Sequence, residues 1–355
     1  MVESKALVAE VADGASPRLV QKTVQLPDLA SNQVLVKVSA VAQNPTDVQA
    51  FDTNAFGDGT VLGCDFAGTV EEVGSSVTRV SKGDIIAGLI WGGEVKGLGA
   101  YSEYTIADER ICFKVPLDIT LPEAATMLLA ALTAYLALFS KDSLNIDATS
   151  ESNTSLLIWG GSSSVGLYAI QIAELFRFKI VTTCSPHHFE HVQSRGVQHV
   201  FDYRDPEVVQ KIKAAVPGIK YVFDTIGNDT SSVLGSQTID EGGGTLCTVR
   251  PGKAFTEGVS KQTKVTDVLV WTAFLKEHRY REYYWPPNER DHQLATEFCE
   301  SLPDLISRGT VLPNDVRILP GGLDAVETGF QEHRDGKISG TKLVYELERA
   351  PWSRR

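Results

Sequence analysis

The segment best suited to chemistry follows a short apolar strand and is built of glycine and serine. In LLIWGGSSSVGLYAIQIA, residues 156–173, a strand runs directly into these small residues and then into a helix. Glycines let an anion approach the backbone, while serine hydroxyls, N–H groups and the positive end of the helix bind it. The pattern predicts a pyrophosphate-binding turn of a dinucleotide site, with a tight structural turn as the alternative. The candidate contacts are Gly160, Gly161, Ser162, Ser163, Ser164, Val165 and Gly166.

The end of the next strand indicates which dinucleotide the turn would bind. An NAD site usually has Asp or Glu there, about 20 residues after the turn, to bind the ribose hydroxyls. This chain has CSPHH at residues 184–188 instead. Ser185, His188 and Arg204 can donate hydrogen bonds to a 2′-phosphate, so NADPH is the predicted cofactor. Tyr203 can lie against the adenine. Alternatively, Ser185 caps the next helix, the histidines face solvent and Tyr203 packs in the core.

Other catalytic or metal-binding patterns are weak. His187, His188 and His191 have helical spacing, but no carboxylate or thiol completes a ligand set, so no metal is predicted. No GxSxG or HExxH motif occurs, which disfavours hydrolytic and covalent catalysis. The cysteines are odd in number and far apart, as expected of reduced packing residues. They are Cys64, Cys112, Cys184, Cys247 and Cys299.

Two kinds of element must position these residues. From Val34 to about Val115, short β-branched runs broken by glycines predict a compact antiparallel barrel. The run EAATMLLAALTAYLALF, residues 123–139, predicts one long buried helix. Beyond it, strands alternate with helices, which predicts a parallel sheet. The predicted strands are 155–159, 179–184, 199–203 and 221–226, and the predicted helices are 165–176, 189–195 and 206–216. KLVYEL, residues 342–347, is expected to rejoin the barrel.

Length and charge exclude several classes of function. A chain of 355 residues favours two domains, which we predict as 1–122 with 317–355, and 123–316. With 45 acidic and 33 basic side chains, the net charge of −12 argues against a nucleic-acid partner. The longest apolar stretch, residues 124–139, is shorter than the roughly 20 residues of a membrane span. The first residues lack the pattern of a secretory signal, so a cytoplasmic protein is expected.

On these residues the chain resembles the medium-chain dehydrogenase/reductase superfamily, from QVLVKVSAVAQNPTD and GCDFAGTVEEVG to DGKISGTKLV. The resemblance implies an α/β fold: a Rossmann-type doubly wound parallel sheet plus a GroES-like antiparallel β-barrel domain. NPTD, residues 44–47, and GCDFAGTV, residues 63–70, are similar to the zinc-free quinone and enoyl reductases. Zinc members carry a Cys ligand and a Gly-His-Glu motif at these places, so the resemblance implies hydride transfer without a metal.

TCSPHHFEHVQSRG, VFDYR and GKISGTKLVYEL are similar to the fungal enoyl reductases that serve polyketide synthases in trans. The resemblance implies NADPH and further cofactor contacts at Thr46, Asp47, Gln49, Ser185, His187, His188, Tyr203, Val249, Arg250, Ile338 and Ser339. It implies a substrate groove at Ala131, Ala134, Tyr135, Leu138, Val270, Trp271 and Phe274. Thr133 is the catalytic candidate, although a Thr within an apolar helix more often bonds its own backbone.

Two positions depart from that family and leave alternatives open. Gln49 and Gln193 stand where the polyketide enzymes carry lysines that reach the nicotinamide ribose and the 2′-phosphate. The main hypothesis is an NADPH-dependent, zinc-independent reductase of an enoyl thioester or enone, free or carried by a polyketide synthase, as a monomer or homodimer. The alternatives are a quinone oxidoreductase on small free substrates and a non-catalytic NADP-binding sensor or partner protein.

An aromatic-rich region follows the predicted groove and has no single interpretation. It could line an acyl groove, form a dimer surface or pack on the core. Its members are Trp271, Phe274, Tyr280, Tyr283, Tyr284 and Trp285.

Overall fold

The computed structural model describes residues 2–12, 16–148, 154–280 and 283–347. The chain forms two compact units. The first is Met1–Leu129 with Glu277–Tyr284 and Cys299–Arg355, and the second is Ala130–Lys276 with Trp285–Phe298. Among the described residues, no helix is both long and apolar enough to cross a membrane.

The N-terminal part is mainly antiparallel. Its strands are β1 (Glu3–Glu10), β2 (Arg18–Gln25), β3 (Gln33–Ala42), β4 (Thr60–Val61), β5 (Asp65–Val73), β6 (Ile85–Leu89), β7 (Tyr104–Asp108) and β8 (Cys112–Lys114). Strand β3 pairs with β5 and β7, and β5 continues through β6 to β8, while β1 lies between β2 and β4 in a smaller sheet. The strands predicted between Val34 and Val115 are therefore confirmed. Alternate apolar residues of β3, such as Val34, Val36 and Val38, enter the barrel core.

The helices of this part include one that the sequence analysis described incorrectly. They are α1 (Pro45–Asp52), α2 (Leu121–Ala125) and α3 (Leu128–Phe139), with a short 3-10 helix at Glu109–Ile111. The single helix predicted over residues 123–139 is wrong, because the helix breaks at Thr126. The Thr126 hydroxyl donates to the Glu123 carbonyl at 2.7 Å, and the Thr126 carbonyl accepts from Lys342 Nζ at 3.1 Å. These bonds satisfy the backbone at a helix end that propensity alone would have continued.

The parallel sheet has the strand order of a dinucleotide-binding domain. Its strands are β9 (Ser155–Trp159), β10 (Lys179–Cys184), β11 (His199–Asp202), β12 (Tyr221–Asp224), β13 (Gly244–Thr248) and β14 (Thr263–Asp267). Its helices are α4 (Ser164–Leu175), α5 (Phe189–Gln193), α6 (Val208–Ala215) and α7 (Asp229–Gln237), with 3-10 helices at Pro186–His188, Pro251–Lys253 and Val270–Ala273. In the order β11-β10-β9-β12-β13-β14, successive strands are added first on one side of β9 and then on the other, as in a doubly wound fold. The predicted parallel sheet is confirmed, with α5 and α6 shorter than expected.

The C-terminal part returns to the barrel. It contains β15 (His278–Tyr280), β16 (Tyr283–Trp285), α8 (Glu289–Ser307), β17 (Val316–Ile318), a 3-10 helix at Gly322–Ala325, α9 (Val326–Arg334) and β18 (Lys342–Glu346). Strand β18 pairs antiparallel with β3, Val344 opposite Ala42. This confirms that KLVYEL rejoins the barrel sheet.

Candidate active site

The turn after β9 requires its glycines. Gly160 has a φ of 88°, a conformation that L residues rarely adopt, and a Cβ there would meet Ile226 Cδ1 at 2.6 Å. A Cβ on Gly161 would meet Thr182 Oγ1 at 2.2 Å, and one on Gly166 would meet the Gly160 carbonyl oxygen at 2.3 Å. The backbone therefore turns sharply from β9 into α4, as a pyrophosphate site needs.

The start of α4 supplies the hydrogen-bond donors of this turn. Ser163 is the N-cap residue, and its hydroxyl accepts from the Gly166 N–H at 2.9 Å. The N–H groups of Ser164 and Val165 belong to the first helical turn, where no intrahelical acceptor exists. Ser162, Ser163, Ser164 and Val165 are all half-buried, so the turn combines donors, helix dipole and accessible surface.

A second loop, which the sequence analysis did not single out, lies at the point where the strand order reverses. Thr225, just after β12, donates its hydroxyl to the Trp159 carbonyl at 2.8 Å, and its oxygen is 2.8 Å from the Ser163 hydroxyl. Asp224 accepts from the Gly227 N–H at 3.0 Å and holds the loop. The signal was available in FDTIG, since a polar residue and a glycine after an apolar strand mark the same sheet edge.

Arg250 and Val249 follow β13 at this edge. Arg250 Nε donates to the Gly227 carbonyl at 2.9 Å, which joins the loop after β13 to the loop after β12. Val249 is half-buried, and its N–H donates to the Asp224 carbonyl at 3.1 Å. Both predicted cofactor contacts thus follow β13, which β12 separates from β9 in the sheet.

The region predicted to bind a 2′-phosphate contains a carboxylate that we did not foresee. Cys184 at the end of β10 is in register with Asp202 at the end of β11. Asp202 accepts from Arg204 Nε at 2.9 Å and from Nη2 at 3.0 Å. The end of β10 itself carries no carboxylate, as the sequence indicates, but Asp202 of the neighbouring strand lies opposite it. The guanidinium of Arg204 offsets the charge of that carboxylate.

The other residues of this region are arranged around Ser185. Its hydroxyl makes no capping hydrogen bond within the described chain, so it is not used as a helix cap. The rings of His187 and His188 lie 4.0 Å apart. Partial burial, together with the nearby His187 and His191, lowers the pKa of His188 below its ordinary value. Tyr203 is 43% exposed, which excludes the core-packing alternative for it.

The first compact unit contains the barrel and is called the barrel unit below. Its helix α1 carries three of the predicted cofactor contacts. Thr46 is half-buried and Gln49 is exposed, so both present surface to a ligand. Asp47 is different: it is 2% exposed, and its carboxylate accepts from the Asn44 N–H at 2.8 Å, from Cys64 Sγ at 3.3 Å and from the Tyr101 hydroxyl at 3.2 Å. These contacts hold the start of α1, and a direct contact of the buried Asp47 with a cofactor stays a prediction.

Burial determines the direction in which the pKa values of Asp47 and Cys64 are shifted. Loss of hydration raises the pKa of Asp47 to about 6, against the lowering effect of its three hydrogen bonds. Burial and the nearby Asp47 carboxylate raise the pKa of Cys64 well above the ordinary thiol value. The Cys64 thiol therefore stays protonated and donates to Asp47, and it is not a nucleophile.

Helix α3 carries Thr133 and four of the predicted groove residues. Ala131, Ala134 and Leu138 are completely buried, while Thr133 is 8% exposed. The Tyr135 ring stacks on Phe298 with centroids 4.4 Å apart. The structure thus places these side chains in packed surroundings, and their contact with a substrate stays a prediction.

The second part of the predicted groove is the 3-10 helix Val270–Ala273, which forms hydrogen bonds with side chains of α8. Asp291 accepts from the Thr272 hydroxyl at 2.6 Å, and His292 Nδ1 donates to the Ala273 carbonyl at 2.7 Å. Val270, Trp271 and Phe274 are all buried. Tyr283 and Tyr284 are exposed, and the side chain of Tyr280 lies outside the described residues.

Ile338 and Ser339 lie between α9 and β18. Ile338 is half-buried and Ser339 is exposed, so each can meet a ligand. Three residues later, β18 begins with the buried Lys342.

Family models match both parts of the chain. The alcohol dehydrogenase GroES-like domain matches residues 30–117, and the zinc-binding dehydrogenase model matches residues 164–270. The chain is 34% identical to a trans-enoyl reductase, fsa3, of a Fusarium species, with 98% of this chain and 100% of that protein covered. It is 31% identical to the enoyl reductase component lovC of the Aspergillus terreus lovastatin nonaketide synthase, with 91% of each covered. The chain belongs to the medium-chain dehydrogenase/reductase superfamily.

Solved structures of this superfamily share the fold. An alcohol dehydrogenase superfamily protein from Novosphingobium aromaticivorans aligns with a TM-score of 0.78 at 23% identity, covering 97% of this chain and 100% of that one. The CurK enoyl reductase aligns with a TM-score of 0.70 at 20% identity, covering 97% and 99%. The predicted Rossmann-type sheet and GroES-like barrel are thereby confirmed.

Two kinds of bound group come into question for this chain, a dinucleotide and a metal ion. The glycine turn is a cradle that a Cβ would fill, so these residues fit a dinucleotide. Where zinc members have the Gly-His-Glu motif, this chain has Cys64 and Asp65. The Cys64 thiol donates a hydrogen bond to Asp47, and the Asp65 carboxylate accepts one from Lys342. Among the described residues, no group of three His, Cys, Asp or Glu side chains could hold a metal ion.

Proposed function

We propose that this protein is an NADPH-dependent, zinc-independent reductase of an activated C=C bond, an enoyl thioester or enone. We further propose that it acts in trans on acyl groups of a polyketide synthase in the cytoplasm, as a monomer or homodimer. The observation that carries the proposal is the near full-length similarity to fungal trans-enoyl reductases. The geometry of the Gly160–Gly166 turn supports the cofactor part.

In the proposal, residues 123–316 hold the cofactor. The pyrophosphate would lie on the first turn of α4, where Ser164 and Val165 supply N–H donors. Ser185, Tyr203 and Arg204 would surround the 2′-phosphate, with His188 as a further donor when it is protonated. Because Asp202 already binds Arg204, a phosphate would compete with a carboxylate there, and we expect a moderate preference for NADPH over NADH.

The GroES-like domain, residues 1–122 with 317–355, is proposed to be the substrate-binding domain. NADPH, when bound, supplies the hydride that adds to the β-carbon of the acyl group. The carbonyl oxygen then becomes an enolate, which hydrogen-bond donors must stabilise before the α-carbon takes a proton. Thr133, on α3, is the proposed hydrogen-bond donor, and Thr46 and Gln49, on α1, would orient the nicotinamide ribose.

The proposal is tested by following NADPH consumption with purified protein. Crotonyl and longer branched enoyl thioesters are compared with simple quinones, and each is repeated with NADH. We expect turnover of thioesters, with NADPH preferred. Preference for quinones would favour a quinone oxidoreductase, and NADPH binding without turnover, even after addition of a carrier-bound enoyl substrate, would favour a non-catalytic NADP-binding protein.

A further inference from the structure

A buried ion pair joins the first residues of two strands in the barrel unit. Asp65, the first residue of β5, is 0% exposed, and Lys342, the first residue of β18, is 3% exposed. Lys342 Nζ lies 2.7 Å from Asp65 Oδ2. Their positions are 277 residues apart in the chain. Two charges removed from water need several hydrogen bonds to offset the lost hydration.

Those bonds go to two further segments of the chain. Asp65 Oδ2 also accepts from Asn44 Nδ2 at 2.9 Å, at the start of α1. Asp65 Oδ1 accepts from the Leu129 N–H at 2.8 Å, in the first turn of α3. Lys342 Nζ also donates to the Thr126 carbonyl at 3.1 Å, at the break between α2 and α3.

Each segment leads directly into predicted site residues. Asn44 is the N-cap residue of α1, which carries Thr46 and Gln49. Helix α3 continues from Leu129 to Thr133, one turn further on. Lys342 follows Ile338 and Ser339 by only a few residues. The pair therefore binds the ends of all three segments, while its own charges are not exposed to a ligand.

We propose that Asp65 and Lys342 are positioning residues, which set the start of α1, the start of α3 and the segment before β18 relative to one another. This inference rests on the proposed function, because it concerns the placing of the proposed cofactor and substrate contacts. A pair of this kind contributes geometry more than stability, since apolar or neutral replacements of buried ion pairs can fold as well. Small displacements of reacting groups, in contrast, reduce the rate strongly.

The test uses the full chain with both charges removed, Asp65→Asn together with Lys342→Met. The matched control is Asp335→Asn with Lys337→Met, which removes an exposed pair 2.8 Å apart in the same unit. The readouts are the unfolding midpoint, amide hydrogen exchange at Leu129 and in α1, the dissociation constant of NADPH, and kcat with crotonyl thioester. We expect the double variant to fold, with exchange at least about tenfold faster at Leu129 and kcat reduced about 10–100-fold.

A second variant, Lys342→Arg, keeps the charge and moves the donor atoms. We expect its unfolding midpoint to stay near that of the wild type while kcat falls, because only the geometry changes. The inference is overturned if either variant keeps wild-type exchange, NADPH affinity and kcat, or if only the unfolding midpoint changes. Wild-type protein that neither binds NADPH nor reduces any enoyl substrate would refute the proposed function instead, and the exchange data would still decide the positioning role.

Discussion

Charged side chains have opposite roles at the carboxyl ends of the parallel strands and at the buried ion pair of the barrel unit. At the carboxyl ends of the parallel strands, Asp202 and Arg204 are two residues apart, and their side chains are 27% and 58% exposed. Half-buried donors such as Ser185 belong to the same region. In the barrel, Asp65 and Lys342 are buried and joined across most of the chain. The exposed charges are available to a ligand, whereas the buried charges hold the chain itself. Substitutions should therefore change ligand preference in the first region and folding or geometry in the second.

The largest effect is expected from Lys342→Met alone. The substitution leaves the Asp65 carboxylate buried without its counter-charge, while Asn44 and Leu129 still donate to it. We expect the free energy of unfolding to fall by about 3–5 kcal/mol. Urea unfolding followed by circular dichroism measures this. Adding Asp65→Asn should restore part of the lost free energy of unfolding. If the effects of the two substitutions on this free energy were additive, the interaction of the buried pair would be contradicted.

A smaller but more specific effect is expected from Gly166→Val at the sheet edge. Its Cβ would approach the Gly160 carbonyl oxygen, at 2.3 Å, so α4 must move away from the turn. We expect NADPH affinity to fall by about 100-fold. Fluorescence titration with NADPH measures the change. The control is Gly242→Ala, where a Cβ meets nothing within 4 Å. Unchanged affinity in Gly166→Val would refute the pyrophosphate site.

The same contrast explains what the sequence could predict. The turn after β9 is encoded within seven consecutive residues, and its context repeats along the chain as alternating strands and helices. Strand periodicity, helix periodicity and glycine spacing are local properties, so the fold class and the turn followed from them. The buried pair could not be found this way, because nothing local marks Lys342 as the partner of Asp65.

The two features that the sequence did not predict, the helix break and the position of Asp202, have the same physical origin. At the break in the helix, the Thr126 carbonyl accepts from a side chain of β18, and helix propensity contains no such information. Asp202 lies opposite Cys184, in the region predicted to bind a 2′-phosphate, because β11 pairs with β10 in register. Both are consequences of long-range pairing, which a reading of consecutive residues does not include.

Cofactor preference is the next test of the sheet edge. Arg204→Gln removes the guanidinium and leaves the Asp202 carboxylate to repel a 2′-phosphate. We expect NADPH affinity to fall about tenfold with NADH affinity unchanged. Asp202→Asn should raise the affinity for NADPH, since it removes the carboxylate that binds Arg204. Titrations with 2′-AMP and 5′-AMP report the same preference without turnover. Equal effects on both nucleotides would show that this pair does not meet the phosphate.

The smallest expected effect is a pH dependence that arises from His188. Partial burial and the neighbouring His187 and His191 lower the pKa of His188, so the ring is largely neutral near pH 7. A bound 2′-phosphate would favour the charged ring, and binding would then take up a proton. The ratio of NADPH to NADH affinity should therefore rise as pH falls, by about threefold between roughly pH 8 and pH 6.

Protonation of the phosphate itself opposes this trend, so the comparison needs a matched variant. His188→Gln keeps a hydrogen-bond donor and removes the titration, and its affinity ratio should stay flat or fall as pH decreases. His199→Gln, on β11, serves as the control for a general loss of imidazole in this unit. If the wild-type ratio follows that of His188→Gln at every pH, the ring does not contact the phosphate. Discrimination would then rest on Ser185, Tyr203 and Arg204, and the sheet edge would contribute through fixed charges and hydroxyls only.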